Sequence, residues 1–286
     1  MGSAGSRRST TVAATDAQEQ QQPQVEELDE DGSPRIVFIT GCSTGIGLAT
    51  AVVLASDADK RFKVYATMRN LGKKAALEEA AGKTLGESLF IKELDVCSEE
   101  AVNSLVKEIE SEEGRIDVLA ALPGMKARKK GRIINVSSII GVNGHPFSEI
   151  YSASKFALEG LTESLAPTLR KFNIRCSLVE PGPVTTSFNN NAKSLREGID
   201  SSTADDKTQA LLQEALKEMY RTVTEHSQTA EEVAEIIKNV ILSRAPHLRY
   251  QTNSQYAPGE VQAKFSDATG DKAIDLMEKR FYPETK

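Results

Sequence analysis

A tyrosine and a lysine four positions apart, Tyr151 and Lys155 in YSASK, carry the clearest chemical signal in the chain. At that spacing near the start of a helix, both side chains lie on one face. A free tyrosine titrates near about 10, and a neighbouring ammonium favours the phenolate, so the pair makes a proton shuttle usable near neutrality. Ser138 closes the β-branched run GRIINVSS at residues 131–138, where its hydroxyl can hold a carbonyl or alcohol oxygen; Ser137 is the second choice for that task. By themselves, a tyrosine and a lysine on one helix face are more often a packed phenol beside a solvated lysine.

A second chemical site lies upstream, in TGCSTGIG at residues 40–47. Between a strand and a helix, backbone amides and the helix dipole converge on an anion, which assigns Thr40, Gly41, Ser43, Thr44, Gly45, Ile46 and Gly47 to a phosphate cradle. Gly41 permits the turn, Gly45 lets a pyrophosphate approach the backbone, and Gly47 allows close packing of helix on strand. A glycine triplet alone is weak; directly after a strand and before a helix it points to a dinucleotide. The next strand ends in ATMRN, with Thr67 and Arg69 where an acid for the ribose hydroxyls often stands. Arg69 suits a 2'-phosphate and so NADP(H), or is a solvated surface arginine. Asp95 either faces the adenine or caps a helix.

These groups need a frame, and the chain alternates strand and helix patterns to supply one. The strand patterns are RIVFIT, FKVYATM, SLFIKELDV, IDVLA, GRIINVSS and NIRCSLVE, with HLRYQT a candidate last strand near residues 247–252. They are apolar on both faces, as a covered parallel sheet requires, so the expected fold class is α/β, a doubly wound, Rossmann-like parallel sheet in a single domain. Ser98 followed by two acids is a helix start, and a long helix is expected from about Glu149 to Phe172. Residues 1–33, rich in Gln, Ser, Thr and Ala, are expected to form a disordered tail, with the domain over 34–252 and an extension over 253–286.

Composition excludes several classes. With a net charge of -6 and a pI near 5.4, neither nucleic acid nor an anionic membrane is the expected main partner. No apolar run approaches the roughly 18 residues of a membrane span, and the N-terminal stretch lacks the apolar core of a secretory signal. The expected compartment is the cytoplasm, with peripheral membrane contact through apolar residues near the pocket. Cys42, Cys97 and Cys176 have neither disulfide nor metal spacing and are expected as small core residues; no metal site is expected.

Taken in order on the βα frame, TGCSTGIG, NVSS, YSASK and PGPV resemble the short-chain dehydrogenase/reductase family, from about Arg35 to Tyr250. The resemblance implies Tyr151 as acid/base, Lys155 as the group that lowers its pKa and contacts the nicotinamide ribose, and Ser138 as the hydroxyl that orients substrate. It also implies cofactor contacts from Pro181, Gly182 and Val184. Longer stretches, including YATMRN and YSASKFALEGLTESLAPTLRKFNI, look like the branch holding retinol dehydrogenases and estradiol 17-beta-dehydrogenases. That branch moves a hydride between NADP(H) and a retinoid or steroid. The expected substrate wall includes Val142, Phe147, Val184 and Phe188 beside Tyr151 and Ser138, apolar enough for either ligand. His145 either touches substrate or is solvated; the stretch FSDATGDKAIDLMEKRF either covers the pocket or forms a surface helix.

The chain departs from the family pattern in one place. Relatives continue the fourth strand into an Asn-Asn-Ala-Gly or Cys-Asn-Ala-Gly motif and a long helix carrying a further asparagine, whereas IDVL here runs directly into AALPGMKARKKG. Roughly one βα unit of about 30 residues or somewhat more is missing. Its loss removes a wall beside the cofactor, the relay asparagine and a helix that often forms the dimer interface, so the family's homodimer is not expected. The sheet is expected to distort or lose a strand pairing and to leave apolar surface uncovered. Two functional expectations follow: an NADP(H)-dependent oxidoreductase that tolerates the gap, or a splice or gene-model variant that at most binds nucleotide.

Overall fold

Alternation of buried side chains along each strand sets the architecture, because successive residues point to opposite faces of a sheet. In β1 (Arg35–Ile39), Val37 joins one apolar cluster while Ile36 and Phe38 join the other. In β2 (Phe62–Met68), Val64 and Ala66 go one way and Tyr65 the other. A sheet with two such cores must be covered on both faces. The computed structural model describes residues 32–118, 122–188, 191 and 203–283, so most of the expected tail lies outside the described residues.

One face is covered by α1 (Gly45–Ala55) and α7 (Ala230–Leu242), whose Leu54, Val233 and Ile237 are buried against Val37 and Val64. The other is covered by α3 (Glu99–Glu113), α4 (Leu122–Arg128) and α5 (Glu149–Arg170), through Leu105, Ile109, Met125 and Leu169. Between β2 and β3 (Leu89–Glu93) runs the short α2 (Ala75–Ala81). Ser98 caps α3, its hydroxyl accepting from the Ala101 amide at 3.2 Å, and two acids follow in the first turn. The remaining strands are β4 (Gly131–Val136), β5 (Ile174–Glu180) and β6 (Arg249–Gln251).

All strand pairs are parallel, in two runs, β3-β2-β1 and β4-β5-β6. Among the described residues, one residue bridges both runs. Val118 bridges Val37 on one side and Arg132 on the other, and the expected fourth strand IDVLA is reduced to that bridge among the described residues. Asp117 reinforces the seam, its carboxylate accepting from the Ile36 amide at 2.9 Å and pairing with Arg115 at 3.0 Å. Among the described residues, the two runs are thus joined at this bridge and through the apolar cores on either face.

The return from Val118 to β4 is made by α4, a helix of two turns. Met125 is fully buried beneath it, and a Cβ on Gly131 would sit 2.5 Å from the Met125 sulfur, so a larger residue at the entry to β4 would force Met125 to shift. Arg128 donates to the Ile116 carbonyl at 2.6 Å and ties the helix back to the seam. On α5, Ile150 and Leu161 are 86% and 55% exposed.

After β5 come α6 (Asp206–His226) and α7, then β6, α8 (Pro258–Ser266) and α9 (Asp271–Phe281). A capping box opens α7, with Thr229 and Glu232 each accepting the other's backbone amide. A third apolar cluster, of Ala215, Met277 and Phe281, binds α6 to α9. Cys42 and Cys176 are buried as expected, and burial raises both thiols, Cys42 to about 12. Cys97 is a correction: it lies in the turn before α3 and is exposed.

Candidate active site

The first functional side chains are placed by the turn between β1 and α1. Gly41 and Gly45 adopt φ values of +73° and +62°, which L side chains rarely accept. A Cβ on Gly47 would lie 2.4 Å from the Gly41 carbonyl oxygen, so the third glycine sets how closely the helix meets the turn. Thr44 occupies the N-cap without a side-chain cap bond, and no acid stands in the first turn of α1. These features suit a phosphate at the helix N-terminus.

The second group comes from the ends of β4 and β5 and the first turns of α5. Ser138 lies just past β4; its hydroxyl accepts from the Ile140 amide at 3.2 Å and donates to the Pro181 carbonyl at 3.4 Å. It also bonds the phenol of Tyr151. The Tyr151 ring leans on Phe188, with centroids 5.7 Å apart. Lys155 donates to the Val136 carbonyl at 3.2 Å, and its ammonium lies 5.7 Å from the centre of the Tyr151 ring. Val184 is fixed by a bridge to Gln228, and Gly182 leaves room for the Tyr256 ring, 3.0 Å from where its Cβ would be.

One cavity of about 620 Å³ takes in both groups, from Gly41, Thr44, Gly45, Ile46 and Gly47 to Ser138, Tyr151 and Lys155. Pro181, Gly182, Val184 and Phe188 form part of its wall. Its size lies within the ordinary range for small-molecule sites. Phe188 and Tyr220 are lining residues that remain 54% and 40% exposed, so an apolar rim marks the mouth.

Other expected contacts are placed differently. Thr40, Ser43, Arg69 and Asp95 do not line the cavity. Arg69 is exposed at the end of β2, and Asp95 accepts from the Cys97 amide at 3.0 Å, while Ser98 does the capping. Val142 is buried outside the lining, and Phe147 packs against the third apolar cluster behind it. Burial raises the Tyr151 pKa and the Ser138 hydrogen bond partly offsets this.

The sequence reading missed the far wall. Met219 and Thr222 of α6, Tyr256, and Arg280 and Phe281 of α9 all line the cavity, so FSDATGDKAIDLMEKRF does contribute to it. Arg280 is held by Glu218, Glu260, Thr222 and the Tyr256 hydroxyl at 2.8 to 3.3 Å. His145 is buried, not solvated; it faces Phe281 edge-on at 5.3 Å, and burial with the nearby Arg280 charge depresses its pKa to about 3. The amphipathic pattern of α9, ending in Phe281, was the available signal.

A family model described as short chain dehydrogenase matches residues 35–121 and 118–197. The chain belongs to the short-chain dehydrogenase family. Human retinol dehydrogenase 8 is 41% identical over 266 positions, covering 79% of this chain and 84% of that protein. Human 17-beta-hydroxysteroid dehydrogenase type 1 is 34% identical, covering 86% of each. Solved structures share the fold: a short-chain dehydrogenase from Streptomyces avermitilis has a TM-score of 0.60 at 20% identity, covering 86% of this chain and 96% of that one. ElxO with NADP bound has a TM-score of 0.60 at 22% identity, covering 79% and 100%.

The 266 aligned positions take in 79% of 286 residues, about 226, so about 40 aligned positions in all have no counterpart in this chain. The family model restarts at residues 118–121, where the bridge at Val118 meets α4. As a member of this family, the chain is an oxidoreductase by descent.

Proposed function

We propose that the protein is an NADP(H)-dependent oxidoreductase that interconverts the alcohol and carbonyl of a small apolar substrate, a retinoid or a steroid. The observation that carries this reading is the single cavity joining the phosphate cradle to Ser138, Tyr151 and Lys155. The curated relatives named for retinol and 17-beta-hydroxysteroid dehydrogenation support the substrate class. The preference for NADP(H) rests on Arg69 and on the absence of an acid at the end of β2. Compartment follows the sequence expectation, the cytoplasm, with the Phe188 and Tyr220 rim as a point of membrane contact.

The cofactor supplies or accepts the hydride. In reduction, Tyr151 Oη gives its proton to the substrate oxygen; in oxidation it takes the proton from the alcohol. Ser138 Oγ holds that oxygen, and its bond to the phenol keeps donor and acceptor in line. Lys155 contributes positive charge that favours the phenolate left after transfer. Apolar side chains such as Phe188 and Met219 exclude water from the reacting carbon.

The test is NADPH binding to the full chain, followed by turnover of all-trans-retinal and of estrone, with Tyr151→Phe as control. Saturable binding with turnover that disappears in Tyr151→Phe supports the reading. A second reading is favoured by the reduced fourth strand: a chain that binds nucleotide without catalysis. Binding without turnover would select it.

A further inference from the structure

Behind Lys155 the structure buries an acid that this mechanism does not use. Glu159 lies one turn further along α5 and is 4% exposed. One of its oxygens, Oε2, accepts from Arg249 Nη1 at 2.5 Å; the other, Oε1, is fully buried, and the equally buried Ser137 hydroxyl at the end of β4 is directed to the carboxylate. All three side chains meet at Gly141, where a Cβ would stand 2.8 Å from Ser137 Oγ, 3.1 Å from Lys155 Cβ and 3.2 Å from Glu159 Cγ. A carboxylate held in the interior is costly, so its retention calls for a reason.

The surrounding charges supply one. Facing Glu159 are Lys155 and Glu163 from α5, Glu180 from β5 and Arg249 from β6, with the Ser137 hydroxyl completing the set. Three carboxylates share one guanidinium beside a half-buried lysine; burial raises the Glu159 pKa and Glu180 adds to the rise, while the Ser137 and Arg249 hydrogen bonds and the Arg249 charge favour the carboxylate. Burial disfavours the ammonium, and the carboxylate one turn away opposes that effect.

We propose that Glu159 is a positioning residue for this site, a buried anionic anchor that, with Ser137, keeps Lys155 charged beneath Tyr151. The inference rests on the oxidoreductase reading for its purpose but not for its test. The lysine Nζ signals of the full chain are titrated by NMR without cofactor or substrate, with Lys155 assigned through Lys155→Arg. Replacing Glu159 by Gln is expected to lower the Lys155 midpoint by about one pH unit, whereas Glu159→Asp, which keeps the charge, holds it near the wild-type value. An unmoved midpoint in E159Q, or an equal fall in E159D, overturns the proposal.

Where E159Q does not melt cooperatively, Arg249→Gln carries the test with the opposite sign. Removing the competing cation is expected to raise the midpoint, and no rise overturns the proposal. Wild-type protein that shows the expected titration but never reduces a carbonyl substrate would defeat the proposed function and leave the anchor standing.

Discussion

Tyr151 is held as a phenol by its surroundings, and this sets the direction in which pH acts. Burial raises its pKa, so the proton-donating form persists through neutrality and the phenolate appears only at alkaline pH. Carbonyl reduction is therefore expected to stay level through neutral pH, while alcohol oxidation climbs as pH rises toward and beyond about 10. Tyr151→Phe is expected to reduce turnover by about 100-fold or more with NADPH affinity little changed, as read by steady-state rates and fluorescence titration. Gly47→Ala is expected to do the reverse, weakening NADPH binding because the added methyl meets the Gly41 carbonyl. His145 governs stability in acid. Its folded-state pKa is depressed from 6.5 to about 3, so the unfolded chain takes up a proton that the folded chain refuses. Stability is full above about 6.5 and falls as pH drops toward about 3. In His145→Gln, thermal melts at pH 7 and pH 5 are expected to differ less than in the wild type.

Among the elements, the helix-and-strand frame was legible because apolar periodicity and turn residues agree along most of the chain. β2 spans the expected FKVYATM in full, and the long helix ends two residues before the expected Phe172. The far wall was not legible: Met219, Tyr256 and Arg280 sit on separate helices and loops far from any motif, and only tertiary packing brings them together. Phe147 and Val142 failed as wall residues for the complementary reason, since proximity in sequence to Tyr151 says nothing about which way a loop side chain turns. The crossover is the element most sensitive to change. Met125 is fully buried beneath α4, so Met125→Ala is expected to cost about 2–5 kcal/mol in a denaturant titration. The loss should fall at the upper end, because a two-turn helix has few other contacts through which to redistribute it.

At the scale of the whole molecule, Val118 divides the site's labour between two half-sheets. The phosphate cradle follows β1 in one half, whereas Ser138, Tyr151, Lys155 and the PGPV turn all follow strands of the other. Backbone hydrogen bonds across the seam among the described residues include the Phe38 amide to Val118 at 3.2 Å, the Asp117 amide to Ile36 at 2.9 Å and the Arg132 amide to Asp117 at 2.8 Å. Amide exchange at Phe38 and Arg132 is accordingly expected to be faster than at Val64 or Leu178, whose strands are paired along their length. A dinucleotide lying across both halves would then act as a clasp. Its contacts would add to the two apolar cores that already span both halves, so cofactor binding and the pairing of the half-sheets would support each other. A substitution at Val118, far from any reacting atom, would loosen both together.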